Sequence, residues 1–208
     1  MFMKMNSMIN NFSVVIPVFN EEEIFLESAD KIFNICQEMN MPFEIIFSEN
    51  GSLDNTKNLI HDFIEDKDNC FTINSNYANY GLALKNGFEI AKNDIVISFD
   101  IDYFSKKFLK QSLELDDNFV ALVASKRLNE SEDKRTFIRK MATSAFVLIL
   151  KLLFKTSLSD THGMKAIRKV SLDKQITRVV STQDLFDATS ATKFSSSCNA
   201  CSRNFFEK

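Results

Sequence analysis

Residues 12–18 read FSVVIPV, an unbroken apolar and β-branched run that predicts a strand covered on both faces. Asn20 followed three positions later by Glu23 has the spacing of a capping box, which places a helix start at Asn20. Phe25, Ala29, Ile32, Phe33, Cys36 and Met39 then recur at helical intervals and predict one buried stripe. Pro42 breaks the chain before a second strand at 43–47. Gly51 and Asp54 mark a turn and a second helix start, with Leu59, Ile60, Phe63 and Ile64 as its apolar face. Further strands are expected at 70–73, at 94–99 (DIVISF) and at 119–124, with a helix over 81–92.

Strands joined by helical crossovers of this length imply an α/β fold: a Rossmann-like, mostly parallel sheet flanked by helices in a single domain. In such sheets ligands bind beyond the carboxyl ends of the strands. The polar residues leaving those ends are Asn20 and Glu21, residues 48–50, and residues 100–102.

Composition narrows the function. The chain has 208 residues, enough for one domain with a full core. Its 25 Lys or Arg stand against 28 Asp or Glu, a net charge of −3, which argues against a nucleic-acid partner. Four Cys and two His without a clustered array exclude a disulfide scaffold or a zinc-finger protein. Cys36 and Cys70 fall in apolar patterns and are expected to pack. The Cys198-x-x-Cys201 pair stands alone, which disfavours zinc. The apolar stretch 145–153 contains Lys151 and falls short of the ~20 residues a membrane span needs. The first residues offer no leader peptide, so a cytoplasmic, reduced location is expected. With only four glycines, each position carries information. Gly51 and Gly81 sit at motif turns, whereas Gly87 inside a helix points to close helix–sheet packing.

Asp100-Ile101-Asp102 leaves a buried strand. In extended backbone residues i and i+2 share a face, so Asp100 and Asp102 are expected to reach one ligand. Their hard oxygens suit Mg²⁺ or Mn²⁺, ions commonly bound by one or two carboxylates plus substrate phosphates.

Four motifs follow one another along the chain: IPVFNEEE at 16–23, FEIIFSENGSLDNT at 43–56, NYGLALKNGFEIAKNDIVISFDID at 79–102, and DTHGMKAIRK at 160–169. Together they resemble a family 2 glycosyltransferase of the GT-A fold, most closely the dolichyl- or polyprenyl-phosphate hexose synthases. The resemblance covers about residues 12–187. It implies inverting transfer of a hexose from a UDP- or GDP-linked nucleotide-sugar to an acceptor, foremost a polyprenyl phosphate. It assigns residues 12–102 to a nucleotide-binding half and 103–187 to an acceptor half, after an extension at 1–11.

By position, the resemblance puts Pro17, Phe19, Glu21, Glu49 and Asn50 around the nucleoside, with Phe19 in the place of the usual Tyr. Phe19 keeps a stacking face and loses a hydroxyl. Asp100, Ile101 and Asp102 would hold the metal and donor diphosphate, and Arg127 a phosphate; Arg135 and Arg139 are weaker phosphate candidates beside a plain basic surface. Asp160 would position the acceptor or assist with a proton, while His162 reads as structural. Residues 137–154 form an apolar helical pattern with two readings. One is peripheral contact with the cytoplasmic face of the membrane, toward the lipid acceptor; the other is an ordinary core helix.

Past Asp187 the resemblance ends, and Leu185 is the last Ile, Leu or Val in the sequence. Residues 188–208 are therefore expected to be a disordered or substituted tail. The family's Thr-Glu is missing there. A phosphate monoester, with a second pKa near ~6, is already ionised at neutral pH and tolerates that loss better than a sugar hydroxyl does. Two competing readings follow: a non-enzymatic nucleotide-sugar-binding remnant or partner subunit, and a transferase acting on a polysaccharide hydroxyl.

Overall fold

The computed structural model describes residues 9–116, 121–124 and 164–176. The chain runs β1 (Phe12–Val18), α1 (Phe25–Gln37), β2 (Phe43–Glu49), α2 (Thr56–Ile64), β3 (Cys70–Asn74), α3 (Tyr80–Ile90), β4 (Ile95–Ser98), α4 (Lys106–Leu113), β5 (Ala121–Val123), β6 (Lys165–Arg168) and α5 (Lys169–Ile176). Six strands form one sheet in the order β3-β2-β1-β4-β6-β5. β3, β2, β1 and β4 pair in parallel, and β6 alone runs the other way between β4 and β5. The expected mostly parallel α/β sheet is what forms.

Helices cover both faces. α1, α2 and α4 bury Phe25, Ile32, Phe63 and Leu109 against Val14, Ile16, Ile45 and Ile97. On the other face, α3 and α5 bring Leu84, Phe88 and Leu172 onto Val15, Ile46, Val96 and Ile167. Every residue of β1 is buried, as its continuous apolar run requires. Cys36 and Cys70 are free, buried thiols. Burial pushes the Cys70 thiol up to about 12, so it packs rather than reacts.

Two expectations are corrected. α1 does not start at Asn20: its N-cap is Ile24, no side chain caps it, and Asn20 takes the left-handed conformation with φ 53°. Asn20 spends its side-chain oxygen on Leu53 in another loop instead. β2 also runs two residues past 47, because buried Ser48 and Glu49 find polar partners: Ser48 donates to the Ala83 carbonyl at 2.7 Å, and Glu49 accepts from the Ser52 amide at 2.5 Å.

Gly87 explains how α3 lies so close to the sheet. A Cβ there would stand 2.4 Å from Val15 Cγ1. Gly87→Ala should gain helix propensity yet lose more by overpacking, for a net destabilisation of about 1–3 kcal/mol in chemical denaturation. A variant as stable as the parent would show that Val15 yields without strain.

Candidate active site at the carboxyl edge of the sheet

Strand order reverses between β1 and β4, because β2 and β3 lie to one side of β1 and β4 to the other. A crevice opens at such a switch point, beyond the carboxyl ends of the two strands. The segment after β1 carries Phe19, Asn20 and Glu21, and the segment after β4 carries Asp100, Ile101 and Asp102.

The β1 segment is stitched to the loop after β2. The Asn20 amide donates to Ser52 Oγ at 3.0 Å, and the Leu53 amide donates back to Asn20 Oδ1 at 2.8 Å. The Glu21 amide donates to Thr56 Oγ1 at 2.8 Å, the Glu22 amide to Asp54 Oδ2 at 3.2 Å, and the Asn55 amide to Glu22 Oε2 at 2.8 Å. Each loop satisfies the other's backbone, so the pair forms one platform. Phe19 stands 39% exposed at its edge, a ring available to a ligand. Pro17 is buried in β1 behind it.

Glu49 and Asn50 are 1% and 4% exposed and brace this platform from within. Glu49 receives the Ser52 amide, and Asn50 Oδ1 receives the Asn79 amide at 2.7 Å. Asn79 in turn caps α3 by accepting from the Leu82 amide at 2.9 Å. The end of β2 thereby fixes the start of α3.

Asp100-Ile101-Asp102 is not extended, as the spacing argument had it. Asp100 and Tyr103 bridge through two backbone hydrogen bonds of 3.2 and 3.0 Å, closing a tight turn around Ile101 and Asp102. Ile101 is buried and pins the turn, while Asp102 is exposed to solvent. Asp100 Oδ1 accepts a hydrogen bond from the Tyr80 hydroxyl at 3.0 Å. Nothing local in the sequence links residues twenty positions apart, so the motif alone does not single out Tyr80.

Electrostatics tie the two segments together. Burial first, then the charges of Asp102, Asp54 and Asp100, raise the Glu21 carboxyl above its ordinary 4.5. Burial also works to raise Asp54, but hydrogen bonds from Thr56 and the Glu22 amide outweigh it and hold that carboxyl low. Neighbouring carboxylates thus oppose the ionisation of Glu21. A group whose pKa is higher folded than unfolded gives stability that is present below 4.5 and lost as pH rises through the folded value. Glu21→Gln should therefore raise the melting temperature relative to the parent at pH 7 and leave it unchanged at pH 4. An equal shift at both pH values would break the link to ionisation.

Hard, negative oxygen donors such as Asp100 and Asp102 suit a divalent cation. Asp100 and Asp102 would supply carboxylates and the donor's phosphates the remaining positions. Among the described residues no group of three or more His, Cys, Asp or Glu is arranged to hold an ion. Arg127, Asp160, Arg135, Arg139, His162, residues 137–154, and Cys198 and Cys201 with the tail all lie outside the described residues. Among the described residues no helix is long and apolar enough to cross a membrane.

Comparison with known proteins places this geometry. An undecaprenyl-phosphate 4-deoxy-4-formamido-L-arabinose transferase of Proteus mirabilis is 34% identical over 97 residues, covering 45% of this chain and 29% of the relative. The protein of the same name from Pectobacterium carotovorum is 28% identical over 156 residues, covering 73% and 46%. The chain thus spans under half the length of these curated relatives. Among solved structures, a Pyrobaculum calidifontis mannosyltransferase in complex with GDP-Man and Mn²⁺ superposes with a TM-score of 0.54 at 18% identity, covering 80% of this chain and 46% of that one. S. aureus TarS in complex with UDP-GlcNAc superposes with a TM-score of 0.58 at 19% identity, covering 92% and 55%. These likenesses establish the GT-A fold. The family model described as Glycosyl transferase family 2 matches residues 13–176, and the chain belongs to that family.

Proposed function

We propose that the chain is the transferase domain of a metal-dependent, inverting glycosyltransferase that moves a sugar from a UDP- or GDP-linked donor to polyprenyl phosphate. The observation that carries this reading is that the charges of Asp102 and Asp100 reach Glu21 beyond the carboxyl ends of β1 and β4, where a cation carried by a diphosphate would offset them. The names of the curated relatives support the lipid-phosphate acceptor. The Mn²⁺ and nucleotide-sugars named with the solved structures support the metal and donor class.

In this reading Phe19 stacks on the base, and the braced Glu49 and Asn50 keep its platform in place. Asp100 and Asp102 hold Mg²⁺ or Mn²⁺, which when bound offsets the charge on the departing nucleoside diphosphate. Arg127 contacts a phosphate, and Asp160 positions the acceptor. The acceptor phosphate, ionised at neutral pH, attacks the anomeric carbon on the face opposite the diphosphate. A carbon–oxygen bond forms to the acceptor as the one to the donor breaks, and the configuration inverts. Contact with the cytoplasmic face of the membrane through 137–154 would bring the lipid within reach.

The test is the purified chain with Mn²⁺, radiolabelled UDP- and GDP-hexoses or a nucleotide-linked pentose, and undecaprenyl phosphate. Label should enter the organic-extractable lipid, and no transfer from any donor overturns the enzymatic reading. Donor binding by calorimetry without turnover on any acceptor would select the non-enzymatic alternative. Transfer to free glycans but not to lipid phosphate would select the polysaccharide one.

A further inference from the structure

Tyr80 is the first residue of α3, and its position is over-determined. Asn79 before it is held by Asn50 Oδ1 and caps the Leu82 amide. Farther along, Gly87 seats the helix against Val15. The Tyr80 ring packs against the cluster formed by Val15, Ile46, Leu84 and Phe88. Its hydroxyl donates to Asp100 Oδ1 at 3.0 Å. The backbone of Asp100 is fixed separately, by its two hydrogen bonds with Tyr103. Both ends of the phenol–carboxylate bond are therefore built in before any ligand arrives.

We propose that Tyr80 is a positioning residue: its hydroxyl fixes the Asp100 carboxylate in the orientation that receives a divalent cation carried by a nucleoside diphosphate. The proposal rests on the metal reading above and names the residue that tunes it. The terminal torsion of an Asp side chain is broad and roughly two-fold, so an unrestrained carboxylate samples a wide range of orientations. A hydrogen bond to Oδ1 removes that freedom and marks out which lone pairs face the crevice. A phenol hydroxyl carries a proton to donate to the carboxylate oxygen. Packing already holds the ring, and the cap already holds the helix, so the hydroxyl bears on the carboxylate rather than on the fold. Hydrogen-bond partners that orient metal ligands typically change metal affinity ~10–100-fold when removed.

The experiment is Mn²⁺ binding to the full chain, followed by electron paramagnetic resonance with UDP and then GDP present, for the parent, Tyr80→Phe, Asp100→Asn and the double variant. Tyr80→Phe should weaken Mn²⁺ binding roughly tenfold while its metal-free melting temperature stays within about 2 °C of the parent's. Adding it to Asp100→Asn should weaken binding no further. If transfer is measured, KM for Mn²⁺ should rise in step, with kcat at saturating metal within about twofold of the parent. Unchanged Mn²⁺ affinity in Tyr80→Phe, where Asp100→Asn has lost it, overturns the proposal and leaves the metal reading standing. Additive losses in the double variant overturn it too, since Tyr80 would then act elsewhere. Full affinity in Asp100→Asn removes Asp100 as a ligand, and the proposal falls with it.

Discussion

Asp102→Ala should abolish metal-dependent donor binding and lower sugar transfer about 10²–10³-fold, the scale seen when one preorganised charge-stabilising group is lost. The fold should survive. Asp102 is exposed, and its turn is held by buried Ile101 and by the backbone bridge between Asp100 and Tyr103. Exposed substitutions away from such anchors stay within about ±0.5 kcal/mol. The same change should relax Glu21, because Asp102 is the foremost charge raising it, after burial itself. The acid-side dependence of stability should accordingly weaken in the variant. Calorimetry of UDP and GDP with and without Mn²⁺ measures the main effect. Donor binding that keeps its full metal dependence would show that the ion is held by other groups.

Asp100 and Asp102 are not equivalent carboxylates, although the sequence presents them as a pair. Two positions apart in a strand they would be neighbours on one face. Around a tight turn they differ: Asp100 is half-buried and bonded to Tyr80, whereas Asp102 projects into solvent. In the proposed function, losing Asp102 would remove a group that meets the ligand from the solvent side. Losing Asp100 also leaves the Tyr80 hydroxyl without that acceptor, so the two variants should differ in stability as well as in binding.

The sheet was legible where local pattern and tertiary demand agree. β1 occupies the residues its apolar run predicts, and β3 and α3 come within one or two residues of theirs. Legibility failed wherever a residue's partner is distant in sequence. Asn20 reads as a helix cap, but Ser52 and Leu53 claim it. Ser48 and Glu49 read as the end of a strand, but the Ala83 carbonyl and the Ser52 amide let them stay buried inside it. α4 is hidden in the sequence because KKFLKQSL is mostly polar, and β6 because KAIR is four residues with a cation first. Lys165 is nevertheless buried, in register with Ser98 of β4 and Val123 of β5. At the carboxyl edge of the sheet, residue types marked Glu49 and Asn50, but only the fold shows that they accept from the Ser52 and Asn79 amides.

Gly51→Ala should be the most damaging single methyl in the platform. Gly51 has φ +76°, a conformation that costs an L-residue about 1–2 kcal/mol. Its added Cβ would also lie 2.7 Å from the carbonyl carbon of Tyr77, with the Cα and amide nitrogen at 2.8 and 2.9 Å. Those atoms are backbone and cannot swing aside as a side chain tip would. The loop around Tyr77 must shift, and it leads directly into Asn79, held by Asn50, and then to Tyr80 on Asp100. Adding overpacking of about 1–3 kcal/mol gives a total near 2–5 kcal/mol. For a chain of this size that is a fall in melting temperature of roughly 4–20 °C. Gly51→Asn separates the two causes, since Asn tolerates positive φ but still carries the Cβ. If contact dominates, Asn should destabilise nearly as much as Ala; if the dihedral dominates, Asn should recover most of the loss. Either way Mn²⁺-dependent donor binding should weaken along with stability, because the displaced loop is the one that delivers Tyr80. A destabilised Gly51→Ala that binds donor and metal as tightly as the parent would show that the platform and the carboxylates are set independently.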